Sequence, residues 1–230
     1  MVAINGSGAS VSTSSDVKHI KIGTFTRSEI NFLKCAVSTD KTRTNINNVM
    51  VRYSDKINGF VACGTDTHRA HCVILGNLFN APVDVEITLD VNAIARQMSA
   101  LKLKTFDLWC AISPSGEFIG GQCTAYGIDN ITGSVLANGN FPHFEFFIQK
   151  DMHIDNTGFT SDVNGNYLAD AVSNMAGSRS DFTESRVRFW QDKSKKHTFL
   201  VVLDHHSNVH GNYWNYGRCF AVIMPMSPVY

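Results

Sequence analysis

Apolar and polar residues alternate at Ile20, Ile22 and Thr24, the period of a half-buried strand, and the period then changes to that of a helix. Ile30, Leu33, Ala36 and Val37 fall on one stripe at helical spacing. Thr26, just ahead of them, is a helix N-cap. Glu29 three residues later completes a capping box, and Phe25 can staple to Ile30. After a polar stretch from Asp40 to Asn48, Val49–Tyr53 and Phe60–Cys63 read as strands joined by a turn around Asn58-Gly59. Cys72–Leu75 reads as a further strand.

The same order recurs. Val83, Val85, Ile87 and Leu89 alternate as a strand, Asp90 caps, and Val91, Ile94, Ala95, Met98 and Leu101 form a helical stripe. Strands follow at Thr105–Ile112, Glu117–Tyr126 and Thr132–Leu136, with a bulge expected at Gly120-Gly121. A third copy starts near Ile154. Asn164 caps it, Leu168, Ala171, Val172 and Met175 repeat at helical spacing, and strands follow at Arg186–Trp190, Thr198–Leu203 and Phe220–Met224. At each helix start an apolar residue, a capping residue and an apolar residue four further on share one spacing: Phe25-Thr26-Ile30, Leu89-Asp90-Ile94 and Val163-Asn164-Leu168.

The expected class is therefore α+β, with repeated strand–helix–three-strand units. The one apolar face of each helix places the helices on one face of antiparallel sheets. Residues 1–17, rich in Gly, Ser, Ala and Thr, are expected to be a flexible tail. Residues 18–150 hold two units and 151–230 the third.

Composition narrows the function. The chain has 230 residues, 43% apolar and 17% charged, with a formal net charge of zero. A strongly basic nucleic-acid binder is not indicated, although a local basic face can hide in a neutral total. No apolar run approaches a membrane span and no signal peptide is legible. Cys35, Cys63, Cys72, Cys110, Cys123 and Cys219 stand singly in apolar or strand-like stretches, as reduced thiols of a cytoplasmic protein do.

Candidate chemistry is sparse. Neither GxSxG nor HExxH occurs, so enzymatic activity is not expected. Asp204-His205-His206-Ser207-Asn208-Val209-His210 has metal-ligand residue types, but adjacent strand histidines point to opposite faces, and a hairpin loop is the expectation. No metal or other cofactor is expected. The final apolar run, Phe220 to Ile223, breaks on Met224-Pro225-Met226. Pro225 cannot continue a central ladder, and flexible thioethers suit either a core gap or an adaptable apolar surface.

Three motifs close the three units: Thr65-Asp66-Thr67-His68-Arg69-Ala70, Asn140-Phe141-Pro142-His143-Phe144, and Val222-Ile223-Met224-Pro225-Met226. In this order and register the chain resembles the bacterial DNA polymerase III β subunit, the sliding clamp, over about residues 20 to 227. The match is to its middle domain and part of its last. The resemblance implies a DNA-clamp-like fold, with helices lining a central hole and sheets outside. It implies a DNA replication processivity factor that encircles duplex DNA, and a groove for polymerase or clamp-loader peptides. Carried across, Thr65, His68 and Arg69 form one wall, Pro142 the floor, and Val222, Ile223, Met224, Pro225 and Met226 the other wall. Tyr167 matches a groove aromatic and Asn164 an asparagine. Thr67, Ala70, Phe146 and Ser227 stand where the family has glycine, leucine, arginine and arginine, which lowers the positive charge of the groove and alters its depth.

DNA contact would use cations on or after the helices: Arg27, Lys34, Lys41 and Arg43 for the first, and Arg96, Lys102 and Lys104 for the second. The third helix has none, and Asp170 adds a negative charge. Rebuilding a ring from three-unit chains would take several copies, so a homo-oligomer is expected. The alternative is a shortened clamp mimic or adaptor that binds replication proteins without encircling DNA.

Overall fold

The change of period after Phe25 is the junction of strand β1 (Lys18–Thr26) with helix α1 (Arg27–Ala36). The computed structural model describes residues 18–55, 57, 59–76, 86–114, 118–125, 128–131, 141–142, 162–176, 188–191, 200–203, 208–210, 213–215 and 218–226. The capping box is complete: Glu29 N–H donates to Thr26 Oγ1 at 3.2 Å, and Thr26 N–H donates to Glu29 Oε2 at 2.7 Å. Strands β2 (Val49–Ser54), β3 (Gly59–Thr65) and β4 (Arg69–Gly76) follow. The second unit is β5 (Glu86–Leu89), α2 (Val91–Ala100), β6 (Thr105–Ile112), β7 (Phe118–Ala125) and β8 (Ile128–Ile131). Asp90 caps α2, accepting from Ala93 N–H at 2.9 Å.

The third unit contains α3 (Gly165–Ala176), then β9 (Arg188–Gln191), β10 (Leu200–Leu203), the hairpin β11 (Asn208–His210) and β12 (Tyr213–Asn215), and β13 (Cys219–Ile223). Asn164 caps α3 through Asn166 N–H at 2.9 Å. All three sequence-expected caps thus serve their helices. The expected tail 1–17, the positions Val83 and Val85, the strand expected at Thr132–Leu136, the third-unit start near Ile154, and Asp204 to Ser207 lie outside the described residues.

Strand pairing exchanges the units. β1 leads the first unit but pairs antiparallel with β6 of the second, in a sheet of order β1-β6-β7-β8. β5 leads the second unit but pairs with β2 of the first. The larger sheet runs β5-β2-β3-β4-β13-β10-β9, so β13 joins the third unit to the first through a direct ladder with β4. Cross-strand aromatic pairs help fix the register: Phe25 stacks on Phe106 at 5.1 Å and Tyr53 meets Phe60 edge-on at 5.6 Å. The register also shifts where Ala111 and Ile112 face Gly120 and Phe118, the bulge that Gly120-Gly121 announces.

Alternation along the central strands fills both faces of the larger sheet. Phe60, Ala62, Val73, Leu75, Ala221 and Ile223 join the helix-side core with Ile30, Leu33, Ile94, Met98, Ala171 and Met175. Val61, Cys63, Ala70, Cys72, Phe220 and Val222 form a second cluster with Ile46, Met50 and Phe141. Each fully buried large apolar side chain stabilises by about 1.5–3 kcal/mol before conformational entropy is subtracted. Gly64 permits the close approach of α1: a Cβ there would lie 2.8 Å from Leu33 O.

Two polar ties hold the helices. Arg27 donates from Nη2 to Met98 O at 2.6 Å and from Nε to Leu103 O at 3.1 Å, closing the C-terminus of α2. Arg218 donates to both carboxylate oxygens of buried Glu29 and to Thr24 O. Among the described residues five cysteines are thiols, and no helix is long and apolar enough to cross a membrane.

Candidate functional site

The turn between β3 and β4 is built by its own side chains. Asp66 Oδ1 accepts from the N–H groups of His68 and Arg69, both at 3.0 Å. Thr65 Oγ1 accepts from Thr67 N–H at 3.1 Å and donates to Arg69 O at 2.6 Å. The turn forces Thr67 to φ 79°, a region costly for a β-branched residue. Thr67→Gly is expected to stabilise the chain by about 0.5–1 kcal/mol, the relieved strain less the extra freedom of glycine in the unfolded state. A thermal melt checks it, and a lowered midpoint would contradict the strain.

The final strand changes neighbours beside this turn. β13 runs against β4 up to the pair Ile223–Arg69, and Met224 N–H still donates to His68 O at 2.9 Å. Pro225 then bridges Val163, and Met226 N–H donates to Asp162 O at 2.8 Å. The Met-Pro-Met break therefore carries the chain from the β3–β4 turn to the start of α3. Between these two neighbours lies a cavity of about 340 Å³, lined by His68, Asn164, Tyr167, Met224, Pro225 and Met226. That volume lies within the roughly 300–1,000 Å³ of ligand pockets. Met224 is 37% exposed and Met226 49%. Large apolar side chains this open to water are exceptional among the described residues, where only Leu101 joins them.

Among the described residues the lining carries no carboxylate, lysine or arginine. Behind it lies an ion-paired cluster. Arg69 Nε donates to Asp66 Oδ2 at 3.1 Å, Nη1 to Asp170 Oδ2 at 2.7 Å, and Nη2 to Cys35 O. The guanidinium carbon sits 4.2 Å from the centroid of the Tyr167 ring. Asn174 Nδ2 donates to Asp170 O at 2.8 Å and to Cys35 Sγ at 3.3 Å. Burial and the Asp170 carboxylate push the Cys35 thiol above its ordinary pKa.

Of the eleven residues the resemblance assigned to the groove, six line the cavity together. Arg69 stands behind the lining with its side chain only 10% exposed. Thr65 is buried in the turn, Val222 in the second cluster and Ile223 in the helix-side core. Pro142 is exposed but outside the lining, and its carbonyl accepts from Arg52 Nη2 at 3.3 Å. Phe146 and Ser227 lie outside the described residues. Asp66 and Asp170 belong to the site, though sequence reasoning gave neither a groove role. Their signals were the Asp-x-x-Arg spacing in the turn and the three-residue step from Tyr167 to Asp170 on one helical face.

The cations named for DNA divide. The Arg27 guanidinium is spent on the carbonyls of α2 and its loop. Arg43 pairs with Asp40 at 3.5 Å and donates to Thr67 Oγ1 at 3.3 Å, which puts it beside the β3–β4 turn. Lys34, Lys41, Arg96, Lys102 and Lys104 are exposed. Lys102 takes φ 53° in the turn that ends α2, where Leu103 N–H bonds Met98 O and Lys102 N–H bonds Ser99 O. Among the described residues no group of three His, Cys, Asp or Glu side chains could hold a metal ion.

No family model matches the chain, and no curated protein matches its sequence. Solved structures do match. The DNA polymerase III subunit beta of Borrelia burgdorferi, solved in complex with a natural product, aligns with TM-score 0.57 at 13% identity, over 94% of this chain and 66% of that one. The Helicobacter pylori beta clamp, in complex with 3,4-difluorobenzamide, aligns with TM-score 0.54 at 11% identity, over 93% and 67%. The DNA polymerase sliding clamp of Pseudomonas aeruginosa, solved with a ligand, gives 0.53 and 12%, over 91% and 66%. The chain spans about two-thirds of the length of these clamps. At such identities the likeness is one of fold, and the fold of this chain is that of the bacterial DNA polymerase III β subunit, the sliding clamp.

Proposed function

We propose that the cavity at Met224-Pro225-Met226 binds a short apolar peptide segment of a replication protein, a polymerase or a clamp loader, and that the chain serves as a sliding-clamp-like processivity factor. One observation carries the reading. Two exposed methionines flank a strand-breaking proline and face a tyrosine and a histidine across one cavity, in a chain with the sliding-clamp fold. Flexible thioethers beside an aromatic ring suit apolar anchor residues of a partner. In this reading residues 18–150 form a clamp-like domain of two units, and 151–230 supply a third unit that completes the groove.

A fluorescent peptide that begins with Gln and carries two apolar anchors tests the site by anisotropy. Met224→Ala is expected to weaken its binding about tenfold, the loss of one well-packed anchor contact. His68→Ala should weaken it by less. Failure of the unmodified chain to bind any replication peptide would remove the groove assignment.

A second reading keeps the groove without the ring: an adaptor that holds replication proteins and does not encircle DNA. It is favoured by α3, which has no basic residue, and by Arg27, whose guanidinium is occupied within the chain. Solution mass and retention on nicked circular DNA separate the two. A closed homo-oligomer that slides off linearised DNA supports the processivity factor. A monomer or simple dimer without DNA affinity supports the adaptor.

A further inference from the structure

We infer that Arg69 is a positioning residue that sets the Tyr167 ring as a wall of the cavity and does not itself take a ligand carboxylate. Each of its three guanidinium nitrogens donates to a different acceptor: Nε to Asp66 in the turn, Nη1 to Asp170 on α3 and Nη2 to the Cys35 carbonyl at the end of α1. These come from three separate elements, so the plane of the guanidinium is fixed relative to all of them. Two carboxylates already neutralise its charge. Little of the side chain reaches solvent, and it is absent from the cavity lining. Tyr167 covers a face of the guanidinium, its ring centroid 4.2 Å from the central carbon. Asp170 follows Tyr167 by three residues on α3, so the helix that presents the ring also holds the arginine beneath it. The tyrosine is thereby stacked on a rigid plate while it lines the cavity. Lysine cannot replace this arrangement, since one ammonium has no flat face and cannot serve three separated acceptors in a plane.

The consequence for binding rests on the peptide-site reading above. The effect on the ring does not, and the test reads the two separately. Fluorotyrosine is incorporated into the full chain, and the Tyr167 fluorine resonance is assigned with Tyr167→Phe. In Arg69→Lys the Tyr167 resonance is expected to shift and to narrow as the ring gains motion, while the other tyrosine signals stay in place. Asp170→Asn, on a more exposed side chain, is expected to move the same signal in the same direction by less. If Arg69→Lys fails to fold, Asp170→Asn decides. A Tyr167 resonance unmoved in the folded variants would overturn the inference. The same proteins are then titrated with the Gln-started fluorescent peptide. A moved ring with affinity reduced about tenfold supports the positioning role. A moved ring with unchanged affinity overturns it. Absence of binding by the unmodified chain sinks the peptide-site reading, and the fluorine result then judges Arg69 alone.

Discussion

Glu29→Ala is expected to lower the stability of the chain by about 2–4 kcal/mol, among the largest losses any single polar residue here can produce. The Glu29 side chain is only 2% exposed and serves two structures at once. It returns the capping-box bond to Thr26 N–H at the start of α1, and it receives Arg218 from the residue just before β13. Arg218 also donates to Thr24 O, so one carboxylate gathers β1, α1 and β13. Burial of Arg218 opposes its charge, and only the hydrogen bond to Glu29 together with the attraction of the Glu29 carboxylate overcomes that cost, leaving the guanidinium pKa raised. Removing the acid loses the carboxylate half of the capping box, while Thr26 Oγ1 still caps the backbone N–H of residue 29, and it leaves a partly buried guanidinium without its carboxylate. Glu29→Gln keeps the length and an acceptor oxygen, so its loss should be about half as large. Urea unfolding of both variants checks this. A Glu29→Ala midpoint equal to that of the unmodified chain would mean that Arg218 does not tie the third unit to the first.

The second large effect is a pH dependence set by His71. This side chain is fully buried on β4 between the sheet and α1. Its Nδ1–H donates to Phe32 O at 2.6 Å, its ring stacks on Phe32 at 4.3 Å, and its Nε2 has no hydrogen-bond partner among the described residues. Burial lowers its pKa from 6.5 to about 4, and the bond to Phe32, which acts in the opposite direction, does not compensate. Above pH 6.5 both folded and unfolded chains hold a neutral imidazole, so the group adds no pH dependence. Between 6.5 and 4 the unfolded chain binds a proton that the folded chain refuses. Stability therefore falls as pH falls, by about 3 kcal/mol in total across that window. His71→Phe should lose this part of the slope while keeping the contributions of the carboxylates. The check is the difference in unfolding free energy between the two proteins at pH 7 and pH 4.5. A constant difference would contradict a neutral buried imidazole.

Both effects mark where sequence reasoning stops. The capping box at Thr26 and Glu29 was legible because its spacing is local. Arg218 as the second partner of Glu29 was not, since it lies 189 residues away and nothing in a helix period points to it. The helices and most strands were legible for the same local reason. The exchange of β1 and β5 between sheets was not, because period-two alternation marks a strand without naming its neighbour. His71 sits in an apolar run as one polar letter, and only the approach of the Phe32 carbonyl shows how it is housed.

The site follows the same division. Met224, Pro225 and Met226 were legible as a strand break, and His68 and Tyr167 entered through the resemblance. Val222 and Ile223 came with them in the motif, but a sheet filled on both faces buries them. Arg69 looked like a groove cation because an arginine letter does not reveal its partners. Asp66 and Asp170 turn it inward.

Peptide binding at the Met-Pro-Met cavity is the claim on which the functional account rests, and the methionine methyl groups report on it directly. The chain has seven methionines, of which Met50, Met98 and Met175 are buried while Met224 and Met226 line the cavity. Isotope-labelled methionine methyls are followed by NMR during titration with the Gln-started apolar peptide. Saturable shifts of the Met224 and Met226 signals are expected, assigned by Met224→Leu and Met226→Leu, with the buried methyls unmoved. Saturable binding that leaves both of these signals in place, or no binding at all, would contradict that claim.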